Sequence, residues 1–387
     1  MKERKPFKQL RIWQKSLIIG GISLGGVILL AVGVVGSYLA YVSAQFFRVE
    51  DNKDLTADIV RAKEETRKAT SITSEDELSI LTYNIGFGAY DQKFDFFMDE
   101  GYMLDGTHVQ GRYSRARSYE ACLRNTQGAI EDTVKEDVDF ALIQEVDTDS
   151  DRSHHINQYQ MYLDAMPSYD AVFAYNFHTA NLLYPFNDPI GVSNSGLATL
   201  SKYELGTVTR RSYPVDLSFP NKFFDLDRCF NVSRQTLSNG KELVIANSHM
   251  SAYDEGGVYR RKQIELLNQF MSGEKEKGNY VIIGGDFNHD IIDSVDKFPS
   301  QQKKPEWVYT LTNDDLTEGF SFAASLNAPT CRAAEMPYTK GVNYTVVIDG
   351  FIVSDNIDVK DIHNIDLDFM WSDHNPAKMT FSLKIGE

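Results

Sequence analysis

The sequence predicts an α/β domain in which sheets pack face to face inside helices, carried behind a single membrane-spanning helix. Three features predict this. Residues 16–47 contain no charged side chain. Apolar runs of strand length recur from residue 78 onward, at 78–85, 140–146, 171–175, 196–200, 230–237, 243–250, 280–283, 346–353 and 379–385. Between them lie segments with apolar residues at helical spacing.

The first segment is the anchor. Residues 17–42 are rich in Leu, Ile, Val and Gly, long enough at 1.5 Å per residue to cross a hydrocarbon core of ~30 Å. Lys2, Arg4, Lys5, Lys8, Arg11 and Lys15 precede it, so the positive-inside rule keeps the N-terminus cytoplasmic and sends everything after Arg48 across. Val42-Ser43-Ala44 has the small-residue look of a cleavage site, but cleavable signals have apolar stretches of about 7–15 residues. An uncleaved signal anchor is the expectation, giving a single-pass cell-membrane protein.

Residues 48–77 are charged and small polar, and read as a stalk. Otherwise Leu55, Ile59 and Val60 must dock on the domain. The expected organisation is therefore a basic cytoplasmic tail (1–15), the anchor (16–47), a charged stalk (48–77) and one domain (78–387).

Several of the strand-length runs are apolar for four or more residues, as in sheets covered on both faces. Tyr119, Cys122, Ile130 and Val134 share one helical face, as do Ile264, Leu267 and Met271. Residues 150–240 are more β-like and turn-rich. No repeat of 20–50 residues is present.

The 387 residues carry a formal net charge of −16; residues 1–15 contribute +5, leaving −21 on the remainder. Such an acidic body disfavours tight non-specific duplex binding, while a brief catalytic encounter stays open. Cys122, Cys229 and Cys331 are far apart and without C-x-x-C spacing, so they read as small buried hydrophobes.

Polar groups appear abruptly where the apolar strands end: Asn84, Glu145, His249, and Asp286 with Asn288. Asp349 follows inside a later strand, and Asp373-His374 precede the last one. Hard oxygen ligands without thiolates suit Mg²⁺, Mn²⁺ or Ca²⁺, and Asp-plus-His pairs suit water activation beside a phosphate. Each element alone has a bland reading as a turn former or a structural histidine.

In order, Leu-Thr-Tyr-Asn-Ile (81–85), Gln-Glu-Val (144–146), Asn-Ser-His-Met (247–250), Gly-Asp-Phe-Asn (285–288) and Ser-Asp-His (372–374) resemble the endonuclease/exonuclease/phosphatase superfamily. That resemblance implies a four-layered α/β sandwich, two packed mixed sheets flanked by helices, and a metal-dependent phosphoric ester hydrolase. It implies Glu145 as principal metal ligand, with Asn84 beside it and Asp373 completing the coordination. Asp286 is similar to the water-activating aspartate and Asn288 to its phosphate-orienting partner. His374 resembles the transition-state histidine, held by Asp349, and His249 the second histidine of the nuclease and sphingomyelinase branches, with Asp188 as a trial partner. Arg260, three before Gln263, matches a recurrent Arg-x-x-Gln element whose packing role outweighs substrate contact. Ser195-Gly196-Leu197 supports the cleft.

Arg115, with Arg112 and Arg117, is placed to meet a substrate phosphate or to form a solvated helix start. His154-His155 read as a solvated loop, Asp293, Asp296 and Asp314-Asp315 as surface charge, and the apolar loop 181–190 as core packing by default, with contact to lipid or to a partner as the alternative. Three substrate readings follow: a nuclease-like phosphodiesterase, a phospholipid or sphingomyelin phosphodiesterase, and a soluble phosphomonoesterase. A non-catalytic binding module on the same fold would have lost Glu145, Asp286 or His374. The expected partners are a nucleic acid or phospholipid head group and the membrane, with no obligate protein partner.

Overall fold

A computed structural model describes residues 6–62, 72–73, 75–252 and 257–384. Lys2, Arg4 and Lys5 of the basic tail, residues 63–71 and 74 of the expected stalk, and Ile385 of the last apolar run lie outside the described residues. The chain divides into two compact units, Met1–Phe46 and Phe47–Glu387.

In the first unit, helix α1 (Ile12–Gln45) is long and apolar enough to cross a membrane, with an 18-residue stretch at a mean hydropathy of 2.5. In the second, the strands in chain order begin with β1 (Lys53–Asp54), β2 (Leu78–Asn84), β3 (Glu100–Tyr102), β4 (His108–Gln110), β5 (Phe140–Asp147), β6 (Asp170–His178), β7 (Asn194–Ser201), β8 (Val208–Ser212) and β9 (Cys229–Thr236). They continue with β10 (Glu242–His249), β11 (Tyr280–Asp286), β12 (Phe320–Ala323), β13 (Cys331–Arg332), β14 (Thr345–Val346), β15 (Asp349–Ser354), β16 (Ile357–Asn364) and β17 (Ala377–Leu383). Helices α2 (Tyr119–Lys135), α3 (Gln158–Ala165) and α4 (Val258–Lys277) cover them. Ser118 caps α2 by accepting from the Ala121 amide, Asn157 caps α3 by accepting from Gln160, and Gly278 ends α4 in the left-handed conformation.

Two sheets hold the architecture together. One has seven strands in the order β1-β8-β9-β10-β11-β15-β12, the other six in the order β16-β17-β2-β5-β7-β6. Within each, one adjacent pair is parallel, β10 with β11 and β2 with β5, and the rest are antiparallel. Alternate residues of each strand face opposite sides. Ile80, Leu142, Ile245, Ile282, Phe351 and Met379 therefore meet between the sheets. The outer face of the seven-stranded sheet packs Val244, Val281 and Ile283 against Ile264, Leu267 and Met271 of α4. The outer face of the six-stranded sheet packs Leu81, Tyr83 and Ile143 against Ala129 and Ile130 of α2 and Tyr162 of α3. The result is a four-layered α/β sandwich.

The described part of the expected stalk belongs to this domain, which begins at Phe47 rather than at residue 78. β1 pairs with β8, Leu55 is buried beside Val172, Ala174, Leu205 and Val208, and Arg48 bonds Asp227 through Nε at 2.6 Å. A two-residue strand and one buried leucine are too short a pattern to stand out among charged neighbours. Residues 346–353, expected as one strand, are two. Between them the Val347 and Ile348 amides turn to the Ser294 and Thr330 hydroxyls. All three cysteines are buried and free.

Candidate active site

The apolar face between the sheets turns polar toward the C-terminal ends of β2, β5, β10 and β11. Period-two alternation carries Ile80 to Thr82 and Asn84, Leu142 to Gln144, Ile245 to Asn247 and His249, and Ile282 to Gly284 and Asp286. First comes a buried amide layer. Gln144 Nε2 donates to Asn247 Oδ1 at 2.8 Å and to Thr82 Oγ1 at 3.0 Å, while Asn247 Nδ2 donates to the Ala198 carbonyl at 3.0 Å.

Beyond it lies the charged layer. Register places His249 beside Asp286 and Asp286 beside Asp349. Gly284 and Gly285 make this approach possible: a Cβ on Gly284 would sit 2.7 Å from Leu142 and Phe351, and one on Gly285 1.9 Å from the Ser248 carbonyl. Glu145 leaves the alternation. It lies where the β5–β7 register shifts and has φ +54°, a left-handed backbone that costs a non-glycine residue on the order of 1 kcal/mol. The bulge turns its carboxylate into the cleft.

Asp286 is the centre of the group. Asn84 Nδ2 donates to its Oδ2 at 3.0 Å and the Asn288 amide to its Oδ1 at 2.8 Å. His249 Nε2 lies 3.4 Å and His374 Nε2 3.8 Å from the same Oδ2. His374 Nδ1 donates to Asp349 Oδ2 at 2.8 Å. Asn288, at φ +51°, anchors its amide on the Met250 carbonyl. Ser372 donates to the Asn84 carbonyl at 2.8 Å and so ties the 372–374 turn to β2.

Burial opposes a charge on His374, yet Asp349 and Asp286 outweigh it and hold its pKa well above the usual histidine range. His249 goes the other way: burial, then the Arg228 and His374 cations, push it well below. Burial raises Asp286, Asp349 and Asp373 above the ordinary carboxylate range. One histidine is thus held cationic and the other neutral, with acidic groups gathered around them.

Such a site is short of positive charge. Asp349 Oδ1 is buried without a hydrogen-bond partner among the described residues, and one atom each from Asp286, Asp349 and His374 lie within 4.8 Å of one another. The residues therefore fit a hard divalent cation. The His374–Asp349 bond occupies part of that trio, whereas the Glu145 and Asp373 carboxylates line the cavity wall beside it. Asn84, expected as a metal ligand, stands beside two of these carboxylates. Its amide nitrogen, not its oxygen, faces Glu145 (3.3 Å) and Asp286, and its oxygen accepts from the Gly86 amide at 3.0 Å. It orients the carboxylates.

The cavity above this floor measures about 570 Å³ and is walled by Phe87, Tyr90, Phe177, Phe224, Trp307 and Tyr309, among others. Arg115 is not available to it as a free cation, since its Nε bonds Asp188 at 2.7 Å. The same contact removes Asp188 as a partner of His249, whose Nδ1 has no hydrogen-bond partner among the described residues. Arg260 reaches the cavity but is buried, donating to the Trp307 carbonyl at 3.0 Å over the Tyr309 ring. Arg112 and Arg117 pair with Asp95 and Asp91, and His155 with Asp149.

Sequence reasoning missed Arg228. It is buried, lines the cavity, and its Nε and Nη1 have no hydrogen-bond partner among the described residues. Its one signal was position, directly before the strand that pairs with His249's strand. Arg332 and Arg152 also line the cavity, but Arg332 donates to the Asp91 carbonyl and Arg152 pairs with Asp147.

A family model for the Endonuclease/Exonuclease/phosphatase family matches residues 81–371. The chain belongs to the endonuclease/exonuclease/phosphatase family. It is accordingly a phosphoester hydrolase, of a family whose enzymes generally depend on a divalent metal. The endonuclease/exonuclease/phosphatase protein of Beutenbergia cavernae is similar in structure at 14% identity, with a TM-score of 0.53 over 79% of this chain and 72% of that one. A family protein from Leptotrichia buccalis gives 0.50 at 14% identity over 79% and 100%. ANGEL2, a 2′,3′-cyclic phosphatase solved with adenosine-2′,3′-vanadate, gives 0.50 at 15% identity over 80% and 96%. At these identities the likeness is one of fold. No curated protein matches the sequence.

Proposed function

We propose that the chain hydrolyses a phosphodiester on the extracytoplasmic side of the membrane that α1 crosses. The observation that carries this reading is Asp286 on the cavity floor, its Oδ2 3.4 Å from His249 Nε2 and 3.8 Å from His374 Nε2. Glu145 and Asp373 would hold the cation, with Mg²⁺ the first choice and Mn²⁺ or Ca²⁺ the alternatives. When bound, it neutralises phosphoryl charge and acidifies water.

Asp286 accepts a proton from the attacking water, and the Asn288 amide and Asn84 fix its orientation for that transfer. His374, oriented by Asp349, donates from Nε2 to a phosphoryl oxygen as charge develops there. His249 faces the same oxygen region and lends a second donor. Arg228 supplies a fixed positive charge for the substrate phosphate.

The pair His249 and His374 favours a nuclease-like substrate. A phospholipid head group is the second reading, favoured by the aromatic cavity walls and the acidic body. A soluble monoester is third. The test is hydrolysis of bis-p-nitrophenyl phosphate, plasmid DNA and sphingomyelin vesicles with Mg²⁺ or Mn²⁺. Cleavage of the first with neither natural substrate would confine the conclusion to diester chemistry, and no cleavage of any would refute it. For sidedness, protease added to intact cells should remove the domain and spare a cytoplasmic control; a protected domain would reverse the topology.

A further inference from the structure

We infer that two apolar loops beside the cleft dock the domain into the lipid interface of its own membrane; this rests on the reading of α1 as an anchor.

The loop after β6 exposes Tyr184 (50%) and Phe186 (87%), and the loop between β8 and β9 exposes Leu217 (51%) and Phe219 (63%). Large side chains this exposed, in two adjoining loops, are not the scattered single hydrophobics of an ordinary surface. A ring contact joins the loops, Tyr184 lying 6.0 Å from Phe224, and within them Tyr184 lies 6.3 Å from Phe186 and Phe219 5.9 Å from Phe223. Ile190 of the first loop and Asp216, Asn221 and Phe224 of the second line the active-site cavity, so this rim is one lip of the cleft.

What covers it is indicated by where the chain enters the domain. α1 ends at Gln45, and Phe46 alone separates it from Phe47. The Phe47 ring lies 4.6 Å from that of His178, the residue that closes β6 and leads into the first loop. The next two residues bind the base of the second loop: Arg48 Nε bonds Asp227 Oδ1 at 2.6 Å, and the Val49 amide bonds Asp227 Oδ2 at 2.9 Å. Residues 47–49, which follow α1 in the sequence, are thus fixed at the roots of both apolar loops. Exposed aromatic and leucine side chains partition into the headgroup boundary of a bilayer.

The test uses the full chain in phospholipid nanodiscs holding one copy each. An environment-sensitive dye is placed on Phe186→Cys, Phe219→Cys or, as a control, the exposed Lys360→Cys on edge strand β16; the native thiols are buried. Dyes at 186 and 219 should shift to the blue and lose most of their emission to a nitroxide-bearing lipid, while the dye at 360 should not respond. Equal weak quenching at all three sites overturns the docking rim. A blue shift that appears only with two copies per disc assigns the loops to a second copy and overturns it too. A chain that leaves the discs in an alkaline wash fails earlier, at the anchor, and is recognised by that loss.

Discussion

Two polar layers lie one above the other between the sheets, and they differ in how completely their groups are paired. In the lower one, the Thr82 hydroxyl and the side-chain amides of Gln144 and Asn247 all have partners. In the upper one, His249 Nδ1, Asp349 Oδ1 and two nitrogens of Arg228 are buried with none among the described residues. The strands and the face are the same. A fully paired buried network fixes the packing of a core, whereas unpaired buried charge costs stability and persists where a ligand completes it. The lower layer has the pairing of a structural network and the upper one the unpaired groups of a candidate binding site.

Substitutions should therefore separate the layers. The largest expected effect is on rate: Asp286→Asn and His374→Ala should each lower kcat by about 10²–10⁴-fold with little change in KM. Asp286→Asn keeps the shape of the side chain and should leave the melting temperature nearly level, whereas His374→Ala takes the partner from buried Asp349 Oδ2 and should lower it modestly without unfolding the protein. If both variants lose stability and activity together, Asp286 and the 372–374 turn serve the fold, and the distinction fails.

Arg228→Gln comes next. Losing a charge-assisted bond to a phosphate is worth about 1.5–3 kcal/mol, roughly a tenfold or greater rise in KM. Neither kcat nor the melting temperature should fall comparably. A native KM would show that the guanidinium does not meet substrate.

Thr82→Val inverts that pattern. It strands the Gln144 side-chain oxygen, so unfolding in urea should show a loss of about 1–3 kcal/mol while kcat of the folded protein stays near native.

The smallest effect concerns a fully paired charge outside the site. Burial alone would raise Glu274, but Arg234, Lys277 and Asn279 bring its pKa down to about 2. The folded value is below the unfolded one. Its contribution is thus complete above about pH 4.5 and is lost as pH falls from there toward 2, on the order of 2 kcal/mol after solvent screening. Glu274→Gln should flatten that part of the stability profile; an unchanged slope would remove Glu274 as its source.

Much of this was legible in the sequence. The strand runs ending in Asn84, His249 and Asp286 announce the site because a pleated strand keeps one face for many residues, so a polar residue at its end marks where the sheets part. Glu145 was legible by motif, but not its bulge, which exists only against β7. Long-range partners were opaque: Asp188 belongs to Arg115, two nitrogens of Arg228 have no hydrogen-bond partner among the described residues, and the orientation of Asn84 depends on Gly86. The stalk was misread for a related reason. Its docking rests on Asp227 and Asp170, more than a hundred residues away, and local composition carries no trace of them.

The central claim is that the upper layer is completed by a divalent cation held by Glu145 and then hydrolyses a phosphoester. The most direct measurement is calorimetric titration of Mn²⁺ and Mg²⁺ into the purified full chain, alongside bis-p-nitrophenyl phosphate hydrolysis, for wild type and Glu145→Ala. Wild type should bind metal and hydrolyse the diester, both abolished by EDTA, while Glu145→Ala should bind markedly more weakly at an unchanged melting temperature. Full hydrolysis by Glu145→Ala in excess EDTA would contradict the account.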